Sequence, residues 1–492
     1  MKNIGIFVGC LGNGGAERIA GLLSIELSKI YDVYIFLLDS KTIVYEYEGT
    51  IIDLYSNGYG TLEENLKNCK KKYKIDCCIS FLEPNNFMNI VTAGNEKVII
   101  SERCTQSLFN PPRVIEGMYI KELYNHADSI VAVSDGVKED LVKNYGISSE
   151  NVTTIYNFIN KDNIRRKAEI PIGKQYEELI GKSKLIVNVG RLDPQKNQKM
   201  LIRQCSFLIK NGLDIKLAIV GAGPLLDELK LFARENEIES NVLFVTYNKN
   251  PFQWYKRADV VAVSSEFEGL PNAVLEAMTL GAPIVSVDSF SGPRELISDF
   301  DNYDVQIKGY LRCSRGILVE RVDTELTGET TYMANAITQM LSDDEYRKDA
   351  CKNSLLYMDR YNNNEILNQW IEVIENTRRR ERIEIKSTVF KDYLEEHTDI
   401  IVYGAGKIGK RICELIKHSN ISPLVNIRVV VSDKKDNPKD VCGYKVYEVN
   451  EIQDKEDALV LLALSTKYHA EVTEMLIAAG FTNIKSANEF WL

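Results

Sequence analysis

Along most of this chain, short apolar runs alternate with segments in which apolar residues recur at the spacing of a helix. This alternation is typical of a parallel sheet that is covered by helices on both faces. A polar stretch at 161–184 interrupts it and indicates a linker. Before that stretch, the pattern predicts helices at 16–28 and 136–144 and strands at 4–8, 33–38, 77–81, 98–101, 130–134 and 153–155.

The alternation resumes after the polar stretch, and two open sheets in tandem would leave a cleft between them. Beyond residue 357 the pattern becomes helical around Trp370 and leads to three arginines at 378–380, and a third, smaller alternating unit starts near Ile400. The second unit has predicted strands at 185–189, 216–220, 242–245, 260–264 and 284–287. We therefore predict an α/β protein with domains at 1–165, 182–355 and 388–492, and bracing helices at 356–385.

Length and composition fit such a multidomain protein. A chain of 492 residues exceeds what one hydrophobic core normally supports. Its net charge of -10 argues against nucleic acid as a partner, because binding phosphates needs a broad basic surface. The ten cysteines show no paired spacing, which is typical of reduced thiols.

No signal peptide and no apolar run of membrane-spanning length are seen, so we expect a cytoplasmic protein. At most it would touch the inner face of the membrane. The lysine-rich run at 70–74 could contact anionic lipid, although a solvated helix end is the favoured interpretation.

The candidate chemistry begins where a predicted strand gives way to a helix at Gly269, Leu270 and Pro271. The free N–H groups and the positive end of such a helix suit a diphosphate. Carboxylates beside a diphosphate would be repelled unless they face hydroxyl groups. We therefore assign Glu276, within the helix, to a ribose and Glu268, at the strand end, to a sugar.

Basic residues follow another strand end and supply the positive charge that a departing diphosphate needs. Arg191 has a fork of donors that suits paired phosphate oxygens, while Lys196 acts as a point charge. Gly14 and Gly15 follow the first strand and would let the backbone approach the same phosphates. Each feature alone has a structural explanation, but their joint occurrence at strand ends, where open sheets bind ligands, favours a site.

These residues stand in motifs that resemble those of glycosyltransferase family 4, whose retaining enzymes have the GT-B fold of two facing Rossmann-like domains. The resemblance covers roughly three quarters of the chain. The motifs are GGAER at 14–18, VAVS at 131–134, VGR at 189–191, NP at 250–251, SSEFE at 264–268, EAM at 276–278 and SGPRE at 291–295.

The resemblance implies a nucleotide-sugar donor, retention of the anomeric configuration, and no metal or other cofactor. It implies that Arg191 and Lys196 bind phosphate, that Glu276 contacts the ribose, and that Glu268 with the backbone after it contacts the donor sugar. Tyr247 and Asn248 would lie where such enzymes hold the base.

The sequence departs from many family members, which have a histidine near the sugar in the first domain. Here the corresponding strand leads to Glu102 and Arg103, which we consider for acceptor or sugar contacts, with a buried ion pair as the alternative. His126 is interpreted as structural. The pair Asp299 and Asp301 is spaced like a metal-binding motif but is interpreted as a polar loop.

The third unit carries a second glycine motif. Gly404, Gly406 and Gly409 form G-x-G-x-x-G between a strand and a helix, and Asp433 follows the next apolar run, where an acid could hold a ribose. The segment resembles small Rossmann-like modules of polysaccharide-pathway proteins. It is predicted to be either a nucleotide site or a degenerate module for dimerisation or docking.

We predict a retaining glycosyltransferase that moves a hexose or N-acetylhexosamine from a nucleotide sugar, with UDP as the expected carrier. The expected acceptor is a glycan, a lipid-linked glycan or a surface polysaccharide. Two alternatives stay open on the sequence: a sugar-nucleotide epimerase of the same architecture, and a non-catalytic protein that binds sugar nucleotides.

Overall fold

The computed structural model divides the chain into two compact units, which comprise residues 1–109 with 124–382, and residues 110–123 with 383–492. Three sheets form among the described residues, two in the first unit and one in the second. The structure describes residues 1–12, 14–56, 61–110, 115–246, 250–299, 303, 305–321, 331–382, 389–418, 421–435, 437–464 and 468–486.

The first sheet has seven strands in the order β3-β2-β1-β4-β5-β6-β7, and all its neighbours pair in parallel. Strands such as Cys77–Phe81 are buried along their whole length, as a sheet covered on both faces requires. The strands are β1 Asn3–Val8, β2 Asp32–Leu37, β3 Thr50–Asp53, β4 Cys77–Phe81, β5 Lys97–Glu102, β6 Ser129–Ala132 and β7 Val152–Thr154. We call these strands and their connections, apart from residues 110–123, the first lobe.

Helices connect the strands of this part of the chain. They are α1 Gly15–Leu27, α2 Leu62–Lys72, α3 Asn85–Val91, α4 Gln106–Phe109, α5 Ile115–Leu123, α6 Asp135–Tyr145, α7 Lys161–Ala168 and α8 Lys174–Ile180. Helix α5 belongs to the second unit, although the chain enters and leaves it from the first lobe.

The polar stretch at 161–184 was expected to be a linker, and this expectation is wrong. It forms α7 and α8, and its few apolar residues are buried. Ile172 and Ile180 join a core cluster with Trp254 and strands of the second sheet. Sparse apolar residues are enough here because they meet a large aromatic side chain.

The second sheet also has seven strands, in the order β10-β9-β8-β11-β12-β14-β13, and only β13 runs antiparallel to its neighbour among those described. The predicted strands of this unit agree with the structure to within one residue at each end. The strands are β8 Lys184–Val189, β9 Ile215–Val220, β10 Val242–Val245, β11 Val260–Val263, β12 Ile284–Val287, β13 Tyr310–Cys313 and β14 Gly316–Val319. We call them and their connections the second lobe.

The helices of the second lobe cover its sheet, and the last of this series returns to the first lobe. Lys97 donates hydrogen bonds to the carbonyl oxygens of Ile374 and Glu375 at 2.7 and 2.8 Å, and Trp370 packs near Phe81. The helices are α9 Gln198–Lys210, α10 Leu226–Glu235, α11 Phe252–Arg257, α12 Asn272–Thr279, α13 Gly292–Ile297, α14 Tyr332–Ser342, α15 Asp344–Arg360 and α16 Asn363–Asn376.

The second unit contains a six-stranded sheet in the order β17-β18-β16-β15-β19-β20, with β17 antiparallel to β18 and the other neighbours parallel. Its elements are α17 Val389–Glu395, β15 Asp399–Tyr403, α18 Lys407–His418, β16 Asn426–Val431, β17 Asp440–Val441, β18 Tyr444–Glu448, β19 Leu459–Leu462, α19 His469–Ala478 and β20 Asn483–Ser486. Helix α5 packs against α17 within this unit. The predicted α/β class is thus confirmed, while the domain boundaries stay a prediction.

The lysine run at 70–74 lies at the end of α2, but its first member is not a surface charge. Lys70 is 2% exposed and its ammonium lies 2.9 Å from Glu96. It also donates to Asn89 and Thr92. No helix within the described ranges is long and apolar enough to cross a membrane.

Candidate functional site

The candidate site is built at the carboxyl end of β11, where the chain turns into α12. Pro271 takes the N-cap position and the helix starts at Asn272, so the predicted strand-to-helix junction is present. Glu268 precedes this start and is 8% exposed, and Glu276 lies inside the helix and is 4% exposed. Both carboxylates are therefore held in low-accessibility positions, Glu268 before the positive end of the helix and Glu276 in its second turn.

Lys196 and Glu268 form an ion pair whose Nζ–Oε1 distance is 2.6 Å, with 21% and 10% of their side chains exposed. Lys196 closes a short turn after β8 that begins at Asp193. Ser264 donates to the carbonyl oxygen of Lys196 at 2.7 Å, which fastens this turn to the end of β11. The sequence placed these two residues on separate strand ends, and the structure brings them together.

Arg191 lies in the same loop as Lys196, but its head is more open. Its guanidinium pairs with Asp193 at 3.0 Å, and 53% of its side chain is exposed. The phenol of Tyr45 in the first lobe lies within electrostatic reach of both Arg191 and Glu276. Burial, more than any charge, raises the pKa of Tyr45, so this phenol is neutral near the site.

The first lobe reaches the second at Glu276. Arg18 of α1 places Nη1 2.5 Å from Oε1 of Glu276. Gly14 is the N-cap of α1, and Gly15 is its first residue. A Cβ added at Gly15 would lie 3.3 Å from the side-chain Nδ2 of Asn272, so the glycine turn lies beside the start of α12.

A second contact between the lobes surrounds Gly269 and Leu270. A Cβ at Gly269 would lie 2.1 Å from the carbonyl oxygen of Arg103, so only glycine allows this approach. Asn157 donates to the carbonyl oxygen of Leu270 and to Asn272, both at 3.0 Å. The Arg103 guanidinium contacts Asn157 in turn. This places Arg103 beside the loop that precedes α12.

Glu102 is placed differently from its neighbour. It has no exposed surface, and its carboxylate accepts hydrogen bonds from Tyr124 at 2.8 Å and Gln106 at 2.9 Å. Glu83 shares both partners, so two carboxyl groups meet inside the first lobe. Burial raises the pKa of Glu102 well above its usual value, and Glu83 adds to that rise. In this structure a substrate has no access to Glu102, and its partner is a second acid rather than a cation.

Glu295 also joins the lobes, and no role was predicted for it. Its carboxylate accepts from the backbone N–H groups of Asp135 and Gly136 at 3.1 and 2.8 Å, and from Tyr156 at 2.9 Å. Arg18, Asn157 and Glu295 were all missed. Arg18 and Glu295 end the motifs at 14–18 and 291–295, but the sequence does not show what they contact, because each of the three residues acts on a partner more than 100 residues away along the chain.

Some of the predicted residues cannot be compared with the structure. Tyr247, Asn248 and Asp301 fall outside the described residues. Asp299 pairs with Arg315 at 2.7 Å. Across the part of the chain that is described, no three His, Cys, Asp or Glu side chains are grouped as a metal ion would require.

The predicted glycine motif of the second unit adopts the strand-turn-helix arrangement of its fingerprint. Gly404 has a φ of +117°, and a Cβ at Gly409 would lie 1.8 Å from its carbonyl oxygen, so helix and strand approach closely. A Cβ at Gly406 would meet nothing within 4 Å. Asp433 follows β16 and accepts from the backbone N–H of Lys435.

The chain is similar to known sugar-transferring proteins. A family model described as Glycosyl transferases group 1 matches residues 173–357, and one described as Glycosyltransferase Family 4 matches residues 93–163. The chain is 34% identical over 367 residues to N-acetylgalactosamine-N,N'-diacetylbacillosaminyl-diphospho-undecaprenol 4-alpha-N-acetylgalactosaminyltransferase of Campylobacter jejuni, and the match covers 71% of this chain and 92% of that protein.

A second Campylobacter jejuni protein, an alpha-1,4-N-acetyl-D-galactosaminyltransferase acting on GalNAc-alpha-(1->4)-GalNAc-alpha-(1->3)-diNAcBac-PP-undecaprenol, is 26% identical over 390 residues, which are 76% of this chain and 98% of that one. Among solved structures, Anabaena HepE in complex with UDP superimposes with a TM-score of 0.59 at 17% identity, covering 76% of this chain and all of that one. At that identity the likeness shows the fold, two facing lobes with a cleft.

Proposed function

This chain belongs to glycosyltransferase family 4, the glycosyl transferases group 1, and as a retaining hexosyltransferase of GT-B fold we propose that it transfers an N-acetylhexosamine from a UDP-sugar. The proposed acceptor is a glycan carried on a lipid diphosphate or a growing surface polysaccharide. Two relatives named as N-acetylgalactosaminyltransferases of undecaprenyl-diphosphate glycans support this choice, since the chain covers more than nine tenths of each.

The observation that carries the proposal is the Lys196–Glu268 ion pair in front of α12. The cation and the helix start together would bind the diphosphate, and the acid would accept a hydrogen bond from a sugar hydroxyl. Charge stabilisation of this kind in a site that excludes water contributes several kcal/mol to lowering a barrier. Arg191, from the same loop as Lys196, is the proposed second phosphate ligand.

The proposed reaction proceeds on one face of the sugar. The bond between the anomeric carbon and the β-phosphate oxygen breaks, the acceptor hydroxyl oxygen bonds to the same carbon, and its proton passes to the departing phosphate. Lys196, Arg191 and the start of α12 stabilise the charge that develops on UDP. Glu268 orients the sugar, and no carboxylate becomes a covalent nucleophile in this scheme.

We further propose that the positive charge comes from the protein alone, with no metal or other cofactor. Lys196 and Arg191, which lie in one loop after β8, are the cations proposed to take the place of a metal. Activity that persists after dialysis against a chelator is expected. Loss of activity that Mg²⁺ or Mn²⁺ restores would contradict this part of the proposal.

Release of UDP tests the transfer itself. The full chain is incubated with UDP-GalNAc, UDP-GlcNAc, UDP-galactose and UDP-glucose, each with and without undecaprenyl-diphosphate-linked glycans, and UDP is measured. We expect release that requires the acceptor and is fastest with an N-acetylhexosamine donor. Conversion of the donor to its epimer without acceptor, or binding without turnover, would contradict the proposal.

Gly404, Gly406, Gly409 and Asp433 form the proposed nucleotide site of the second unit, with docking or dimerisation as the alternative. The glycine turn supports a nucleotide, because no described atom lies within 4 Å of a Cβ placed at Gly406, which leaves room for a ligand. Titration calorimetry of the full chain with NADH and with UDP-sugars, repeated with Gly406→Glu, separates the two. Binding that only the wild type shows would favour the nucleotide, and the same binding in both proteins would favour docking.

We propose that the enzyme works in the cytoplasm at the inner face of the membrane, where a lipid-linked acceptor would be presented. Because Lys70 is buried in an ion pair, the lysine run offers fewer free charges than its sequence suggests. Flotation with vesicles containing anionic lipid is the test. Binding to these vesicles that neutral vesicles do not show would support a peripheral location.

A further inference from the structure

Arg18 is the cation that the first lobe presents to Glu276. It lies in the first turns of α1, and only 29% of its side chain is exposed. The Glu276 carboxylate raises the pKa of Arg18, which outweighs the opposing effect of burial. The guanidinium is therefore charged, and a partly buried guanidinium in close contact with a buried carboxylate fixes the geometry of that carboxylate.

The Glu276 side chain is confined by burial as well as by its contact with Arg18. Its side chain is 6% exposed, and within the described ranges Arg18 is its ion-pair partner. Tyr255 lies nearby, where burial and then the negative charge of Glu276 hold the pKa of its phenol well above the usual value. A neutral phenol does not replace a guanidinium as a counter-charge, so the charge of Glu276 is balanced by the first lobe.

We propose that Arg18 is a positioning residue that orients the Glu276 carboxylate for the ribose hydroxyl groups of the donor. The inference rests on the proposed role of Glu276 as the ribose ligand. A carboxylate has about four acceptor positions, so Glu276 can accept from Arg18 and from ribose together. Because Arg18 belongs to one lobe and Glu276 to the other, recognition of ribose then requires the closed cleft.

The test compares nucleotides that differ only in one ribose hydroxyl. Dissociation constants for UDP, 2′-deoxy-UDP and 3′-deoxy-UDP are measured by titration calorimetry on the full chain and on the variants Arg18→Met, Arg18→Lys and Glu276→Gln. For the wild type we expect UDP to bind about tenfold more tightly than at least one deoxy analogue, as a hydrogen bond to a charged group allows.

We call the dissociation constant of the deoxy analogue divided by that of UDP the ratio. The positioning role predicts a change in this ratio rather than in overall affinity. Arg18→Met should bring the ratio close to one, as Glu276→Gln does, while its affinity for the deoxy analogue changes less than about threefold. Arg18→Lys, which keeps the charge, should restore part of the ratio. In the double variant Arg18→Met/Glu276→Gln the ratio should fall no further.

The outcomes separate this inference from the proposed function. A wild-type ratio in Arg18→Met combined with its loss in Glu276→Gln would overturn the positioning role and leave transfer intact. An unchanged ratio in Glu276→Gln would overturn the ribose assignment and with it this inference, while acceptor-dependent UDP release still tests transfer. If Arg18→Met lowers the melting temperature, Arg18→Lys decides: at normal stability, a ratio above that of Arg18→Met supports the inference, and a ratio no higher than that of Arg18→Met overturns it.

Discussion

The ion pair of Lys196 and Glu268 is the contact on which turnover should depend most directly. Replacing either residue with alanine removes one charge and leaves its partner unpaired next to α12. We expect Lys196→Ala and Glu268→Ala each to lower turnover at least about tenfold, equivalent to about 1.4 kcal/mol. Acceptor-dependent UDP release at saturating donor measures this.

Lys199→Ala is the matched control for that measurement. Lys199 of α9 pairs with Glu228 of α10, but 44% of its side chain is exposed, and such surface pairs contribute little. Its turnover should stay within about twofold of the wild type. Equal losses in the Lys196 and Lys199 variants would mean that Lys196 acts only through general stability.

The carboxyl pair of Glu83 and Glu102 should make stability depend on pH. Burial raises the pKa of Glu102 above its ordinary value of 4.5, so the folded chain holds a proton that the unfolded chain has already lost. Its stabilising contribution is complete below pH 4.5 and is lost as the pH rises through the raised pKa. We expect the urea midpoint of Glu102→Gln to fall less than that of the wild type over this rise.

Glu150→Gln serves as the control, because Glu150 is an exposed carboxylate of the same lobe. Its urea midpoint should follow the pH in the same way as that of the wild type. If Glu102→Gln and Glu150→Gln both kept the wild-type slope, the buried pair would not be the source of the pH dependence.

The candidate site residues that lie near the end of a strand could be predicted from the sequence. Glu268, Lys196 and Glu276 follow or enter elements with strong local patterns, so their positions could be predicted. Arg18 could not be assigned, because its partner is 258 residues away and pairing across a cleft leaves no local trace. Glu102 was considered for a substrate contact, with a buried ion pair as the alternative, whereas its partners Glu83, Gln106 and Tyr124 hold it inside the lobe.

Among the elements, the loop before α12 is the most sensitive to added volume. Gly269→Ala would place a methyl group 2.1 Å from the Arg103 carbonyl oxygen, which belongs to the other lobe. Since backbone atoms cannot yield as a flexible side chain does, we expect the lobes to separate locally and turnover to fall by more than about tenfold. The melting temperature should change less than it does for a core substitution, because the strands themselves are untouched.

Gly173→Ala is the comparable substitution at an exposed helix start. The nearest side-chain atom there is 3.5 Å from the added carbon, an ordinary contact. Turnover and melting temperature of this variant should match those of the wild type. Unaltered turnover in Gly269→Ala would show that the close approach at Arg103 is not needed for activity.

The elements that were predicted are ones whose sequence pattern matches their burial, although the buried apolar strand β14 was missed. Strands β10 and β12 are short apolar runs, and their predicted limits are those observed. Strand β13 was missed because three of its four residues are exposed and it lies at the edge of its sheet. Helices α7 and α8 were missed because their apolar residues are few; α8 is packed into the cluster around Trp254, and α7 packs against α11.

For the whole molecule, the discontinuous second unit predicts how the chain responds to truncation. Helix α5 comes from residues 115–123 but belongs with residues 383–492 and packs on α17. A chain that ends at Arg382 would lose α17 and leave the apolar side chains of α5 without it. We expect aggregation or increased binding of a hydrophobic dye, although both lobes remain in the chain.

A repaired truncation distinguishes that cause from general instability. Tyr119, Ile120 and Leu123 are each at most 1% exposed in the full chain, and replacing them with polar residues should restore solubility and UDP binding to the shortened chain. Arg382 is kept because it pairs with Asp128 of the first lobe at 2.6 Å. A truncated chain that is soluble without repair would show that α5 does not need the second unit.

Helix α6 is completed by two different parts of the molecule. Ser134 accepts from the N–H of Val137, whereas the N–H groups of Asp135 and Gly136 are satisfied by Glu295 of the opposite lobe. Separating the lobes would expose those two N–H groups to solvent and would leave the Glu295 carboxylate without these two donors. Separation of the two lobes therefore costs free energy in the ligand-free enzyme. Release of product in each catalytic cycle has to overcome that cost.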